Sequence, residues 1–599
     1  MVFFLVFIRK VFHTDTKNNK VYHTFKLIES VRTKRGPRQR MILNLGTNFS
    51  VPEEKWKDLA NRIEEIVTGQ DPLFSCPEEI EESAARYAKN IIAYHGTEEK
   101  KEPSDYQRVD IDTVDHHTVR SVGVEHVVYE TMKTLGLPDL FASLGFTAPT
   151  LNAAIGVIAA RLIAPSSERA THIWLQNMSA MDDLLDTDFT NLSQDRVYNV
   201  SDALLLNKHK IEDHLRSREV SLFDLTEKII LYDLTNTFFE GSGKYNEKAC
   251  FGVSKEKRSD CPLVTLGLVI DNDGFPKRTE VFPGNISEPG TLEGVVTSLS
   301  SVGIATKPLI VMDAGIGTEA NILWLKEHGY DYIVVSRKKK IELPPEMVAV
   351  REDNRRLIRA GCIRTADEVT LLCHSTDKEI KETGIQNRFE HRFEEGLNRI
   401  HTALDKKHGT KRYEKVVEKI GRLKERYKRI ARRYEITVTK NDNLATAVTW
   451  QHKKEENHPG VYALRSNRLD LAEQEFFNIF SMLTDIEDAF RSMKSELGLR
   501  PVHHQIERRT DGHVFITVLA YHIMQTIRYA LSKNKQINES WSAIRKALST
   551  HVRITTTMKR DDGRVIHIRK STRPEPFHIK IYDALHLSHH PGKTIKTIL

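Results

Sequence analysis

Ile229-Ile230-Leu231-Tyr232-Asp233 and Leu309-Ile310-Val311-Met312-Asp313 are two short apolar runs that each stop at an aspartate. Unbroken runs of this length read as strands covered on both faces. An ionised carboxylate there is costly unless it is paired or coordinated. A third acid, Glu487, lies on a late amphipathic stretch. Three acids so placed predict a site for divalent cations, which sit roughly 3.5–4 Å apart in two-metal centres.

Working outward, residues 228–239, 263–270 and 276–282 read as strands, the last two joined by a tight Asp271-Asn272-Asp273-Gly274 loop. A helix at 290–300, a strand at 308–313, a helix at 319–328 and a strand at 331–336 follow. The order βββαβαβ is that of the ribonuclease H fold, so the expected class is α/β (α+β multidomain) with a mixed five-stranded sheet. In that fold the first and fourth strands are neighbours, here those carrying Asp233 and Asp313. Residues 338–465 interrupt this core and are too long for a plain loop. They hold a long helical candidate at 376–434 and a returning strand at 460–465. The catalytic core is expected over 223–337 and 466–531, with 338–465 as an insertion subdomain.

A helix is predicted over 471–497, closed by Gly498 and Pro501. Ile479, Leu483, Ile486, Phe490, Met493 and Leu497 form its apolar stripe. Glu487 borders that stripe, with Arg491 and Lys494 on the same side. One reading is a surface ion-pair ladder of a few tenths of a kcal/mol; the other is a site where metal and polyanion meet.

The 599-residue chain carries a formal net charge of +7, unevenly spread. Residues 1–48 hold ten Lys/Arg against two acids, residues 401–435 thirteen against five, and residues 532–599 fourteen against five. Separated basic segments suit a polyanion touched at several places. Five cysteines without CxxC spacing fit a reducing compartment and give no zinc knuckle. The apolar start, Met1 to Ile8, is too short to span a bilayer and reads as a strand; no later stretch is expected to cross a membrane. Residues 1–116 read as a basic hairpin (21–33 and 38–47, turning at Lys34-Arg35-Gly36-Pro37) with an acidic helical region and a polar linker at 96–105. Residues 117–222 read as a helical domain, either a DNA-end-binding module or structural packing. Residues 532–599 form a basic C-terminal region, with a hairpin around Asp562-Gly563. The histidines after residue 550 match no ligand spacing, and His503, His504 and His513 read as structural or phosphate contacts.

The chain resembles DDE transposases of the insertion-sequence IS4 superfamily, closest to the IS1634-type group. The resemblance rests on Tyr232-Asp233-Leu234-Thr235-Asn236-Thr237-Phe238-Phe239-Glu240-Gly241, Met312-Asp313-Ala314-Gly315-Ile316-Gly317 and Ile486-Glu487-Asp488-Ala489-Phe490-Arg491-Ser492-Met493-Lys494. Phe251-Gly252-Val253-Ser254-Lys255, Phe282-Pro283-Gly284-Asn285 and Arg500-Pro501-Val502-His503-His504 support it. It implies that Asp233, Asp313 and Glu487 are catalytic and hold two Mg²⁺ ions, with Mn²⁺ able to substitute. One ion would activate water or a DNA 3′-hydroxyl and the other would stabilise the leaving oxygen. Lys494, with Arg491 beside it, would hold a DNA phosphate. The implied function is cut-and-paste transposition of an insertion sequence by end cleavage and strand transfer. Its partners would be the element's terminal inverted repeats and target DNA, its working form a homodimer, and its location the cytoplasm, nucleoid-associated when on DNA. The family's third motif has Tyr and Arg where this chain has Phe480 and Leu483, which removes contacts those residues make elsewhere. The rivals are a ribonuclease H-like nuclease or resolvase without joining activity, and an inactive DNA-binding relative.

Overall fold

The computed structural model describes residues 5–15, 20–33, 36–47, 49–68, 76–95, 106–300, 307–336, 344–353, 356–453, 458–533, 537 and 539–599. The expected turn residues Lys34 and Arg35 and the linker at 96–105 lie outside these. The chain divides into two compact units, residues 1–114 with 558–565 and residues 115–557 with 566–599.

In the first unit, β1 (Leu5–Asp15), β2 (Lys20–Thr33) and β3 (Gly36–Gly46) form an antiparallel sheet in chain order. Helices α1 (Trp56–Thr68) and α2 (Glu78–His95) share its core, where Leu27, Leu59, Ile63 and Ala84 are buried together.

Residues 117–121 belong to a strand, β4 (Val109–Ser121), not to the expected helical stretch. Seven helices follow: α3 (Gly123–Thr134), α4 (Leu137–Ser143), α5 (Ala148–Ile163), α6 (Glu168–Asn177), α7 (Met181–Leu185), α8 (Gln194–Leu206) and α9 (Lys208–Phe223).

The central sheet begins with β5 (Ile229–Phe238), β6 (Leu263–Asp271) and β7 (Pro276–Pro283). Then come α10 (Leu292–Ser300), β8 (Leu309–Met312), α11 (Glu319–Glu327) and β9 (Tyr332–Val335). The physical cause of the unbroken apolar runs is visible in the side chains. Leu231, Val311 and Ile333 point into one core, and Ile230, Tyr232, Ile310, Met312 and Tyr332 into a second beneath α10 and α11. Alternation therefore buries both faces. The β7-β6-β5-β8-β9 order, antiparallel then parallel, is that of a ribonuclease H-like core.

The sheet has nine strands where five were expected. β10 (Val348–Asp353), β11 (Arg356–Arg364), β12 (Val369–Ser375) and β15 (Val461–Ser466) extend it beyond β9 in the order β10-β11-β12-β15-β9. The start of the interrupting segment thus pairs with the core, because β15 returns antiparallel to both β12 and β9. Between β12 and β15 the long helical candidate is three helices, α12 (Thr376–Asp405), α13 (Tyr413–Arg426) and α14 (Lys428–Ala431). A hairpin follows, β13 (Tyr434–Asn441) and β14 (Leu444–His452). This excursion has small apolar cores of its own.

The helix expected over 471–497 is two, α15 (Glu473–Ser481) and α16 (Leu483–Ser495), with Met482 between them. The hydroxyls of Ser481 and Thr484 donate to the carbonyls of Asn478 (2.7 Å) and Ser481 (2.8 Å), a local competition that disturbs helices. The stripe persists: Ile479, Ile486, Phe490, Met493 and Leu497 are buried. Helix α16 packs against β5 and against α17 (Glu507–Lys533). Contrary to expectation, α17 is long and apolar enough to cross a membrane, although 78% of its most apolar window is buried in the protein. Helix α18 (Trp541–Leu548), strands β16 (Val552–Arg560) and β17 (Val565–Ser571), helix α19 (Pro576–Ala584) and β18 (Ile595–Ile598) complete the chain.

Candidate active site

Strands β5 and β8 pair in parallel from Ile229↔Leu309 to Tyr232↔Met312. Asp233 and Asp313 are each the next residue, one step past the last shared rung. Strand β5 does not end there, because Asp233 to Phe238 continue to pair with β6. At Asp313 the chain turns: its Oδ1 accepts from the N–H groups of Gly315 (2.8 Å) and Ile316 (3.0 Å). Asp233 Oδ1 accepts from the Leu234 N–H at 2.7 Å.

Burial pushes the Asp233 carboxyl up to about 6; Lys255 and the Leu234 N–H oppose the rise, and the neighbouring charges of Asp313 and Glu288 add to it. Glu288, which the sequence reading missed, precedes α10. A side chain at Gly315 would collide with the carboxylates of both Glu288 and Asp313, so glycine there leaves them room to approach. The Lys255 ammonium lies 3.7 Å from Asp233 and 3.8 Å from Glu288, and also donates to the Leu234 carbonyl. A positive charge thus already sits between two of the acids. Oxygen donors that gather around a cation in this way fit a hard divalent ion.

Glu487 is exposed on α16 and lines a cleft of about 350 Å³ with Asp233, Lys255, Glu256, Lys494 and Arg500. The ion-pair ladder weighed from sequence does not form. Arg491, also on the cleft, pairs with Asp488, and Lys494 pairs with Glu256 at 3.1 Å. Among the described residues Glu487 has no ion-pair partner. Burial lowers the pKa of Lys494; Glu256 opposes this, and Arg500 and Lys255 reinforce it. Lys255, Glu256 and Arg500 escaped the sequence reading as site residues. Lys255 and Arg500 do lie in segments that carry the resemblance, and Glu288 lies three residues past another.

Two other clusters behave differently. Ligating atoms of Glu168, His504 and His513 lie within 4.8 Å of one another. The buried Arg161 guanidinium, however, donates to His513 Nδ1 at 3.2 Å, and His504 pairs with Glu168 at 3.0 Å. The lone pair a metal would need on His513 is therefore in use. In the C-terminal hairpin, Arg553 and Arg569 both pair with Asp183, at 3.1 and 2.6 Å, so part of that basic segment is spent inside the fold.

Residues 225–523, from just before β5 through most of α17, match the family described as transposase DDE domain. Among solved structures the chain is similar to a piggyBac transposase synaptic complex with hairpin DNA. The likeness is 9% identity over 67% of this chain and 70% of that one, with a TM-score of 0.34. No curated protein matches the chain.

Proposed function

We propose that the chain, whose residues 225–523 match the transposase DDE domain family, moves an insertion sequence of the IS4 superfamily, IS1634-type group, by cut-and-paste transposition. The observation that carries this reading is the meeting of Asp233 with Asp313 past the shared β5–β8 rungs, with Glu487 across the cleft that Asp233 lines.

Asp233, Asp313 and Glu487 are the residues assigned to catalysis and to holding two Mg²⁺ ions, with Mn²⁺ as a substitute. When bound, such ions polarise phosphoryl oxygens and lower the pKa of coordinated water. The protein's part is to hold these carboxylates near one another and partly out of water; burial, with a smaller contribution from Asp313 and Glu288, raises the pKa of Asp233, so added positive charge there favours its ionised form. Lys494 and Arg491 are assigned to DNA phosphates, where they fix position and read no sequence. The proposed partners are the element's terminal inverted repeats and target DNA. The two ends are cut together by a homodimer in the cytoplasm, at the nucleoid.

The test incubates purified protein with labelled duplexes from either flank of its own coding region, Mg²⁺ and a target plasmid. Wild type releases 3′-hydroxyl ends and joins them to the plasmid, and Asp313→Asn does neither. Cleavage without joining would replace this reading with a nuclease. No product from wild type at either flank would end it.

A further inference from the structure

The loop between β5 and β6 presents two adjacent side chains of opposite charge to the cleft. Lys255 faces the acids, and Glu256 faces the bases, contacting Lys494 at 3.1 Å and Arg500 more closely. This presentation is built into the backbone. Asn236 clamps the loop from both sides, donating to the Val253 carbonyl (2.9 Å) and accepting from the Lys255 N–H (3.2 Å). Ser254 Oγ accepts from the Glu256 N–H at 3.1 Å, and the Lys257 N–H closes a turn on the Ser254 carbonyl at 3.1 Å. Lys257 itself has φ +61°, a left-handed conformation that costs a residue with a side chain.

We propose that Lys494 and Arg500 form a binding site for a DNA phosphodiester and that Glu256 is its internal occupant, displaced when DNA enters. The proposal rests on the transposase reading and adds Arg500 and Glu256 to it. An ammonium and a guanidinium converging on one carboxylate offer the donor set that a phosphodiester takes. Their position fits as well, since both line the cleft that holds Asp233 and Glu487. A phosphate held there lies beside the acids, not on a remote basic surface. Only the Glu256 side chain needs to rotate away, because the clamps on the loop are to its backbone and to Lys255. Arg491, paired with Asp488 on the exposed side of α16, is the less direct candidate for this contact.

The experiment measures binding of a random-sequence DNA duplex in EDTA across a salt series, for wild type, Glu256→Gln, Arg500→Gln and the double variant. Such binding comes from phosphate contacts. Glu256→Gln is expected to bind about fivefold tighter, the effect of removing one part-buried competing carboxylate charge. Arg500→Gln is expected to bind more weakly, with a log–log salt slope shallower by about one. In the Arg500→Gln background the gain from Glu256→Gln should fall to less than about half its size on a logarithmic scale. Glu256→Asp, which keeps the charge on a shorter arm, should lie between wild type and Glu256→Gln, and a melting curve for each variant confirms folding. Unchanged affinity in Glu256→Gln, or a full gain that persists without Arg500, would overturn the proposal, the latter because a general charge effect needs no Arg500. If wild type cuts and joins an element end while Glu256→Gln binds like wild type, the inference alone falls. If no variant binds duplex and wild type cuts nothing, the transposase reading falls with it.

Discussion

The Asp233 carboxyl sits near about 6, against an ordinary 3.8, because it is buried beside other acids. Ionising it therefore weakens the metal-free fold. The cost is absent below the ordinary value, where folded and unfolded chains are both protonated. It grows between roughly pH 4 and 6 and is complete above, on the order of 3 kcal/mol. In EDTA, Asp233→Asn should therefore melt at a higher temperature than wild type at pH 7.5, with the gap closing as the pH falls towards 4. Calorimetry across that range checks the sign; a variant that melts at or below wild type at pH 7.5 contradicts it. Adding Mg²⁺ should raise the melting temperature of wild type by mass action and leave the variant unmoved.

At the scale of elements, the β6–β7 hairpin shows how the end of the sheet away from the site is pinned. Asp271 is fully buried; its Oδ1 accepts from the N–H groups of Asp273 and Phe275, both at 2.9 Å, and its Oδ2 lies 2.8 Å from the buried Lys277 ammonium. Lys277 also reaches Glu227 at 3.2 Å. Asp271→Ala leaves a buried charge short of its nearer partner and should cost about 3–5 kcal/mol in urea unfolding. A loss under about 1 kcal/mol would mean that Glu227 or water compensates fully. This hairpin is legible in the sequence, because Asp271-Asn272-Asp273-Gly274 announces its own turn; in the structure Gly274 takes a positive φ of 81°. Strands β10 and β11 are not legible in this way. They lie in charged sequence, and most of β10 is exposed, so their placement depends on pairing with distant β12 and β15 instead of on local periodicity. The β13–β14 hairpin did carry a period-2 signal at Ile436 and Val438, but it follows directly on a helical stretch and was masked by it. The acids at strand ends could be read because a charge interrupting an apolar run is a local event. Glu288, Lys255, Glu256 and Arg500 could not, since their meeting depends on how separate loops close over the sheet.

For the molecule as a whole, the excursion between β12 and β15 leaves and returns at one place. His374 pairs with Val461, and the Ser375 N–H donates to the Gly460 carbonyl at 3.1 Å. Lengthening a loop costs only about 0.6 kcal/mol per doubling, so replacing residues 377–459 with a tight turn should leave the main unfolding transition in place. The removed segment includes 401–435, with thirteen basic residues against five acids, and much of its charge is exposed on α13. The shortened protein should lose duplex affinity and show a shallower salt dependence, measured by fluorescence anisotropy. A shortened chain that folds and binds as wild type does would remove the excursion from DNA contact. The same closure bears on descent. Because both ends sit on neighbouring rungs, a segment of another length could join them without shifting any strand of the sheet to its opposite face. The number of residues between Asp313 and Glu487 along the chain can therefore change without shifting the strands that carry the site.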